Sequence, residues 1–270
     1  MNNKIYLNNN GFFIKKNLFS KFQIKQFLKI QKILHNKKNT KFGPIHKSKI
    51  AWNIIVNKRI TSLVKNLYGN EKAAYLFHGH SAVQNKFASF DTAWHRDNAC
   101  RTFGKGPDWD KNYNILRVAI YLDNGESGLR LIKGSHRRKG YICYLISFLR
   151  RYFKFLYHKK IFRFFFDRIV GTEVRAKKGD CLFFFANTYH SAININDSKK
   201  IDITRKAIFL TYGTHNKHAN NHLNYYLFHR IDKSFKFKKK LKIEFIKLLK
   251  KNDLNIKLPK KKITIKHASL

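Results

Sequence analysis

A run of short apolar segments between Ala73 and Gly213 is the feature that most limits the fold of this chain. The segments read AAYLFHGHSAVQNKFASF, NILRVAIYLDN, GLRLIKGSHRR, KKGDCLFFFANTYHSA and TRKAIFLTYGT. They are rich in β-branched and aromatic residues and are bounded by Gly, Asn or Asp, which is the pattern of strands joined by turns. No internal repeat and no Pro/Ser-rich linker divides the chain. The sequence therefore predicts one mainly β domain.

Helical patterns flank and interrupt this run of strands. Ser20 precedes KFQIKQFLKIQKIL, whose apolar residues follow helical spacing, so we expect Ser20 to be the N-cap of a helix. A second short helix is predicted over RITSLVKNLYG, ending at Gly69. The helical period returns at about residues 141–170, which predicts a helical insertion. We expect the domain to span residues 1–230 and a basic helical extension to follow over residues 231–270.

The chain is strongly basic, with 57 Lys and Arg against 15 Asp and Glu and a formal net charge of +42 among 270 residues. Such a charge is typical of proteins that bind nucleic acid, because Lys and Arg neutralise phosphates. The chain is also rich in Lys, Asn, Ile and Phe together and poor in Gly, Pro and Ala, as AT-rich coding alone would produce. Whether the charge is functional stays open, and nucleic acid is not the expected partner.

Two segments combine basic and apolar residues in a way that suits an anionic membrane surface, namely residues 141–166 and 233–262. Ordinary packing on the domain or a solvated helix face explains the same pattern. Arg150 and Arg151 break the most apolar run after about nine residues, which is too short to span a bilayer. Because the chain also lacks an apolar leader and a C-x-x-C motif, we expect a cytoplasmic protein with at most peripheral membrane contact.

The triplet His95-Arg96-Asp97 places two metal-ligating residue types one residue apart. On an extended strand, residues i and i+2 point to the same face about 6.6 Å apart, so His95 and Asp97 converge while Arg96 turns away. A chain with 13 His residues produces such a triplet easily by chance. The hypothesis of a metal site therefore needs a third ligand.

The third ligand is expected at the end of a buried strand. The segment GDCLFFFANTYHSA begins at a Gly-Asp turn, is apolar, and leads to His190, and the next strand opens with Arg205. We expect these two strands to form a hairpin with His190 opposite Arg205 and the turn inside NINDSKK. His95, Asp97 and His190 would then form the two-His, one-carboxylate triad of non-haem Fe(II) sites. Arg205 would offer a bidentate grip on a carboxylate.

The segments HRD, GLRLIKGSHR, GDCLFFFANTYHSA and RKAIFLTYG together resemble the phytanoyl-CoA dioxygenase family of Fe(II)/2-oxoglutarate oxygenases, over residues 73–213. The resemblance implies a double-stranded β-helix, a jelly-roll barrel with helices packed on one side. It implies Fe(II) held by His95, Asp97 and His190, with 2-oxoglutarate and O₂ as co-substrates and Arg205 on the distal carboxylate. The predicted reaction is hydroxylation of a small-molecule or lipid-like substrate, with release of succinate and CO₂.

Further contacts to the co-substrate are expected at three positions. Many family members carry Ser or Thr two residues after the distal His, where this chain has Ala192, and Ser191 is the candidate in its place. Gln84 and Asn85 lie on the strand before the H-x-D triplet, and one of them is expected to donate a hydrogen bond to the co-substrate. Strand parity does not decide which of the two faces the pocket.

The remaining histidines of the strand region are assigned structural roles. His78 and His80 have the same spacing as the H-x-D triplet, but they lack a carboxylate, so we expect a structural or surface role. His136 is expected to brace its turn by hydrogen bonding, with a role at the rim of the pocket as the alternative.

Alternatives remain open for the function and for the arginine. The rival hypothesis is a basic nucleic-acid-binding protein on a catalytically silent barrel, which leaves the triad unexplained. Nucleic-acid demethylases of the AlkB type have a second Arg six residues after the first, where this chain has Thr211. If Arg205 does not bind the co-substrate, Arg168 and Arg175 are the next candidates.

Overall fold

The computed structural model describes residues 2–35, 42–84, 94–98, 113–123, 127–137, 171–193, 205–229 and 239–260. Its strands are β1 (Phe12–Lys15), β2 (Phe42–Pro44), β3 (Ala73–Tyr75), β4 (His80–Gln84), β5 (Leu116–Tyr121), β6 (Ser127–Leu131), β7 (Thr172–Ala176), β8 (Cys181–Phe185), β9 (His190–Ala192) and β10 (Arg205–Thr214). Its α-helices are α1 (Asn3–Asn10), α2 (Lys21–His35), α3 (Trp52–Ile55), α4 (Lys58–Tyr68), α5 (Lys217–Asn224) and α6 (Lys239–Lys251). A π-helical turn, Tyr225–His229, follows α5. The predicted insertion at residues 141–170 lies outside the described residues.

Two antiparallel sheets form the centre of the domain. The larger sheet has the order β1-β8-β5-β10-β4-β2, with β3 also paired to β10, and the smaller sheet has the order β7-β6-β9. Apolar side chains from both sheets pack together between them, namely Phe12, Ala119, Tyr121, Leu129, Leu131, Ala176, Leu182, Phe184 and Ala207. Strand order and core confirm the predicted mainly β jelly-roll barrel with flanking helices.

Helices cover the other face of the larger sheet and close a second core. The C-terminal helix α6 buries Phe245 and Leu249 in this core. The Phe245 ring lies 5.1 Å from the Trp52 ring and 5.8 Å from the Tyr75 ring, between centroids. Burying such a phenylalanine contributes about 1.5–3 kcal/mol. The apolar face of this part of residues 231–270 is therefore occupied by the domain itself.

The predicted helix ends are confirmed where they are described. The Gln23 backbone N–H donates to Ser20 Oγ, and the Ser20 N–H donates to Gln23 Oε1 at 3.1 Å, which is a reciprocal capping box at the start of α2. Helix α4 ends at Gly69, which has a positive φ of 67° and donates its N–H to the Lys65 carbonyl. None of the described helices has the length and apolar character that crossing a membrane requires.

The predicted hairpin of His190 with Arg205 is wrong. Strand β9 pairs with β6 in the smaller sheet, whereas β10 pairs with β3, β4 and β5 in the larger one, and Arg205 lies opposite Gln84. Turn residues between two strands indicate a reversal of the chain, but they do not require that both strands join the same sheet. Here the chain crosses from one sheet to the other, so His190 and Arg205 are not cross-strand neighbours.

Candidate metal centre

Three of the predicted site residues converge between the two sheets. One ligand atom from each of His95, Asp97 and His190 can be chosen so that all three atoms lie within 4.8 Å of one another. The closest approaches are 3.6 Å from His95 Nε2 to Asp97 Oδ1 and 3.9 Å from His190 Nε2 to Asp97 Oδ2. Among the described residues, this is the one group of three or more potential ligands that could hold a metal ion.

Backbone pairing with His190 at the start of β9, and with Ala186 just after β8, brings these residues together. The His95 N–H donates to the His190 carbonyl at 2.8 Å, and the His190 N–H donates back to the His95 carbonyl at 2.9 Å. The Asp97 N–H donates to the Ala186 carbonyl at 2.7 Å. Asp97 lies in a turn rather than a strand, yet it converges with His95 as predicted. Arg96 turns the other way and donates to the Ser135 carbonyl.

His190 is held in the neutral form that binds metals. Its Nδ1 lies 2.9 Å from the Thr188 carbonyl, and since a carbonyl only accepts, Nδ1 must carry the proton. Nε2 then keeps its lone pair on the side of Asp97. Burial, followed by the neighbouring charge of His95, lowers the pKa of His190 to about 3, so the ring is uncharged at neutral pH.

Asp97 is ionised because a buried arginine compensates it. Burial alone would raise the pKa of this carboxyl, but the Arg117 guanidinium and the nearby histidines hold the pKa well below its usual range. Arg117 Nε donates to Asp97 Oδ2 at 2.8 Å, and the Arg117 side chain is only 2% exposed. Arg117 was not among the site residues predicted from the sequence. It could have been recognised as the single charged residue in the apolar segment NILRVAIYL, because a buried charge needs a partner of opposite charge.

The residues predicted to bind the co-substrate are only partly brought together. Arg205 is the first residue of β10, and its backbone pairs with Gln84, the last residue of β4. Their side chains and the whole of Asn85 lie outside the described part of the structure. Ala207, two residues further along β10, contributes to the core between the sheets.

Ser191 is not brought to the metal-ligand cluster. In the pairing of β9 with β6, His190 lies opposite Leu131, which is in the core between the sheets, and Ser191 lies opposite Arg130. Successive residues of a strand face opposite sides, so Ser191 faces away from His190. Its hydroxyl donates to the Ala192 carbonyl at 3.3 Å. The geometry therefore does not support the co-substrate contact predicted for Ser191.

Of the two alternative arginines, Arg175 is described and lies on the exposed face of β7. Arg175 is on β7, its side chain is 54% exposed, and it forms an ion pair with Glu173. Arg168 lies outside the described residues.

The H-G-H pair takes part in polar and ring contacts that do not involve the side chains of the three ligands. His78 is 3% exposed, and its Nδ1 lies 3.2 Å from His222 Nε2. The Tyr113 hydroxyl lies 3.2 Å from His222 Nδ1, and the His78 ring stacks on Tyr226 with centroids 3.8 Å apart. His80 stacks on the Phe209 ring. These contacts agree with the expected structural role.

His136 forms the expected hydrogen bond, and its partner is in α1. Its Nε2 lies 3.0 Å from the Asn8 carbonyl, so it donates to that oxygen. The ring also stacks on Phe185, 5.2 Å between centroids. His136 thus ties the turn after β6 to the N-terminal helix.

Comparison with known proteins agrees with the fold. HygX from Streptomyces hygroscopicus, with nickel and 2-oxoglutarate bound, is 14% identical, has a TM-score of 0.59, and the match covers 79% of this chain and 87% of that chain. The epimerase SnoN, in complex with Fe³⁺, alpha ketoglutarate and nogalamycin RO, is 13% identical with a TM-score of 0.55, over 78% of this chain and 82% of that chain. The alpha ketoglutarate dependent carbocyclase SnoK is 15% identical with a TM-score of 0.56, over 77% and 81%.

No protein-family model matches the chain, and no curated protein matches it in sequence. At 13–15% identity, the likeness to these structures establishes the jelly-roll fold and not the activity. The narrower resemblance to the phytanoyl-CoA dioxygenase family stays a prediction. The chain is thus similar in fold to non-haem, 2-oxoglutarate-dependent enzymes, with a His-Asp-His cluster between its sheets.

Proposed function

We propose that this protein is an Fe(II)- and 2-oxoglutarate-dependent oxygenase that acts on a small molecule. The observation that carries the proposal is the convergence of His95, Asp97 and His190 within 4.8 Å between the sheets of a jelly roll. That HygX was crystallised with nickel and 2-oxoglutarate, and SnoN with Fe³⁺ and alpha ketoglutarate, supports the choice of cofactor and co-substrate.

The donor set fits iron. Two imidazole nitrogens and one carboxylate oxygen are the ligands of non-haem Fe(II) oxygenases, and they leave further positions on the ion open. The hydrogen bond from His190 Nδ1 to the Thr188 carbonyl is the orienting contact that metal-binding histidines usually make. The arrangement therefore suits an ion that must also bind exchangeable ligands.

The chain's own residues supply binding, orientation and exclusion of water. When bound, Fe(II) and 2-oxoglutarate supply the oxidising chemistry, in which the oxo acid is converted to succinate and CO₂ as O₂ is reduced. Trp94, next to His95, is 1% exposed and stacks on Tyr189, with ring planes 3° apart. Phe184 packs against the His190 ring. These aromatic side chains shield the ligands from water and so limit side reactions.

Arg205 is the residue proposed to bind the distal carboxylate of 2-oxoglutarate. Its position at the start of β10, two residues before the core residue Ala207, supports this role. Gln84 is its cross-strand partner and, with Asn85, is proposed as a hydrogen-bond donor to the same co-substrate. A guanidinium suits this task because it binds a carboxylate with two parallel hydrogen bonds.

The proposed reaction is hydroxylation, and the proposed substrate is a small or lipid-like molecule. SnoN was solved with nogalamycin RO and HygX with hygromycin B, which supports a small-molecule substrate. Among these structures of similar fold, SnoN is an epimerase and SnoK a carbocyclase, so the fold does not fix the type of reaction. Analysis of the product therefore decides whether this protein is a hydroxylase. A product that has gained one oxygen atom supports hydroxylation, and a product of unchanged composition contradicts it.

The test is metal binding and succinate release under controlled oxygen. Protein purified without oxygen should bind about one Fe(II) per chain and should release succinate from 2-oxoglutarate when O₂ is admitted. Asp97→Ala should lose both properties. Succinate release that is equal in the wild type and in Asp97→Ala contradicts the assignment of the centre.

A further inference from the structure

Arg117 is a buried arginine with a fixed set of partners beside the candidate centre. It lies in the middle of the larger sheet, on β5, with its side chain 2% exposed. Nε donates to Asp97 Oδ2 at 2.8 Å, and Nη1 donates to the His78 carbonyl at 3.2 Å and to the Thr211 hydroxyl. The guanidinium carbon lies 5.6 Å from the centre of the Phe209 ring. Burying a guanidinium this deeply costs free energy of folding, so its presence indicates a specific role.

We propose that Arg117 is a positioning residue that holds Asp97 by Oδ2, so that Asp97 offers a metal ion one oxygen, Oδ1. Oδ1 is the oxygen turned towards His95 Nε2, at 3.6 Å, whereas Oδ2, which Arg117 holds, lies 3.9 Å from His190 Nε2. Oδ2 already accepts the hydrogen bond from Arg117 Nε, which fixes the orientation of the carboxylate and leaves Oδ1 without that contact. This inference rests on the proposed metal centre and names a residue that determines how the centre is built.

The guanidinium is itself held rigidly, which makes it able to orient another side chain. Thr211 lies opposite Arg117 in the pairing of β10 with β5. Its hydroxyl accepts from Nη1 and donates to the His78 carbonyl, which accepts from Nη1 as well. The His78 ring is in turn hydrogen-bonded to His222 and stacked on Tyr226. Arg117 therefore cannot turn away from Asp97 without breaking several contacts.

The orientation of the Asp97 carboxylate determines how many coordination positions stay open on the ion. With Asp97 as a single-oxygen ligand, the chain supplies three donor atoms, and three sites of a six-coordinate ion stay open. With both oxygens bound, one of these sites is lost. Partners of this kind, one shell outside the ligands, typically change metal affinity by 10- to 100-fold when they are removed.

The competing account is that Arg117 merely compensates the charge of Asp97 in the folded chain. That account predicts a change in stability and no change in how the folded protein binds a metal. A lysine at this position would keep the charge, but it lacks the planar fork that reaches Asp97 and Thr211 together. Glutamine therefore removes both the charge and the fork, whereas lysine removes only the fork, and comparing the two variants separates the effect of charge from that of geometry.

The experiment uses the full chain and Co(II) as the probe, since its visible absorption reports the ligand set. Arg117→Gln should bind Co(II) about 10- to 100-fold more weakly than the wild type and with an altered absorption spectrum. Arg117→Lys should show the same altered spectrum as Arg117→Gln, because it restores the charge but not the geometry. Arg175→Gln, which changes an exposed arginine on β7, is the matched control and should behave as the wild type. Circular dichroism should establish that each variant is folded.

A Co(II) affinity within twofold of the wild type and an unchanged spectrum in folded Arg117→Gln would overturn the inference. If Arg117→Gln does not fold, Thr211→Val provides the test, because it removes one hydrogen bond to the guanidinium at nearly constant side-chain volume. It should weaken Co(II) binding about fivefold, as expected for one lost hydrogen bond, and an unchanged affinity there contradicts the role.

These outcomes are distinct from failure of the proposed function. A wild type that binds Co(II) but releases no succinate with Fe(II) contradicts the oxygenase and leaves the Arg117 measurement valid. A wild type that binds no Co(II) contradicts the metal centre, and the inference falls with it.

Discussion

Two residue pairs with identical spacing, His95 with Asp97 and His78 with His80, lie in different surroundings in this domain. In the H-x-D triplet, His95 and Asp97 meet His190, which comes from another strand. In the H-G-H triplet, His78 lies against His222 from α5, and no carboxylate completes a group of three within the described residues. The same i, i+2 pattern thus produces a candidate ligand set in one place and a buried polar network in the other.

The difference shows what spacing leaves undecided. The nitrogen turned to the centre at His190 is free to bind, because the other nitrogen donates to the Thr188 carbonyl. The imidazole nitrogens between His78 and His222 face each other at hydrogen-bonding distance, and the Tyr113 hydroxyl faces the remaining nitrogen of His222. A carboxylate and a carbonyl that fixes the ring, rather than the spacing, separate the two environments.

The largest expected effect comes from removing one histidine of each pair. His95→Ala should abolish binding of Fe(II) or Co(II), because two ligands that remain hold a divalent ion poorly. His80→Ala, in the H-G-H triplet, should still bind about one ion per chain. Metal analysis after gel filtration measures both. Loss of metal from His80→Ala, together with full binding by His95→Ala, would exchange the roles assigned to the two pairs.

The next effect separates metal binding from co-substrate binding. Arg205→Ala should raise the apparent dissociation constant for 2-oxoglutarate by about tenfold or more, as expected for loss of a charge-assisted hydrogen bond. Its Co(II) binding should not change. An anaerobic titration with 2-oxoglutarate measures this, and Arg175→Ala serves as the control. An unchanged titration for Arg205→Ala would transfer the role to another basic residue.

The strands that could be predicted are those whose own residues show a strand pattern. Strands β5 and β8 are continuous apolar runs bounded by turn residues, and both were expected. Strands β1 and β7 were not, because they depend on partners far away in the chain. The short β1 forms by pairing with β8, where Phe12 lies opposite Phe184. The segment TEVRA of β7 has little apolar content and is ordered by β6.

The site could be predicted as far as residue types and spacing allow. His95, Asp97 and His190 were found because they are ligand types at the ends of recognisable segments. Arg117 was missed because its partner, Asp97, lies 20 positions away and on another element. Ser191 was assigned to the site although it faces the other way, since a shift of one residue along a strand reverses the face.

A smaller effect tests the structural assignment of the second pair. His222→Phe keeps a ring of similar size but removes the hydrogen bonds to His78 and to Tyr113. The free energy of unfolding should fall by about 2 kcal/mol, at roughly 1 kcal/mol for each buried hydrogen bond. Urea denaturation measures the loss. Co(II) affinity should stay close to that of the wild type, and a complete loss of metal would show that this pair belongs to the centre.

The smallest effect concerns His136, a third environment in which a histidine is held neutral. The pKa of His136 is lowered to about 4, mainly by burial, with the Arg137 and Arg96 charges acting in the same direction and the hydrogen bond to the Asn8 carbonyl opposing them. Between about pH 6.5 and pH 4, this histidine is protonated in the unfolded chain and neutral in the folded one. The unfolded state then binds more protons, so stability falls as the pH falls through this window.

His136→Gln removes this contribution and should make the fall in stability from pH 6.5 to pH 4 shallower than in the wild type. Because burial also lowers the pKa of His190 and of His78, the wild-type slope contains their contributions, and only the difference between the two proteins reports His136. Metal-free protein should be used, so that loss of a bound ion does not add to the slope. Thermal unfolding at intervals of about half a pH unit gives both curves. Parallel curves would mean that His136 has the same affinity for protons in the folded and unfolded chains, and that its contact with α1 does not depend on a neutral ring.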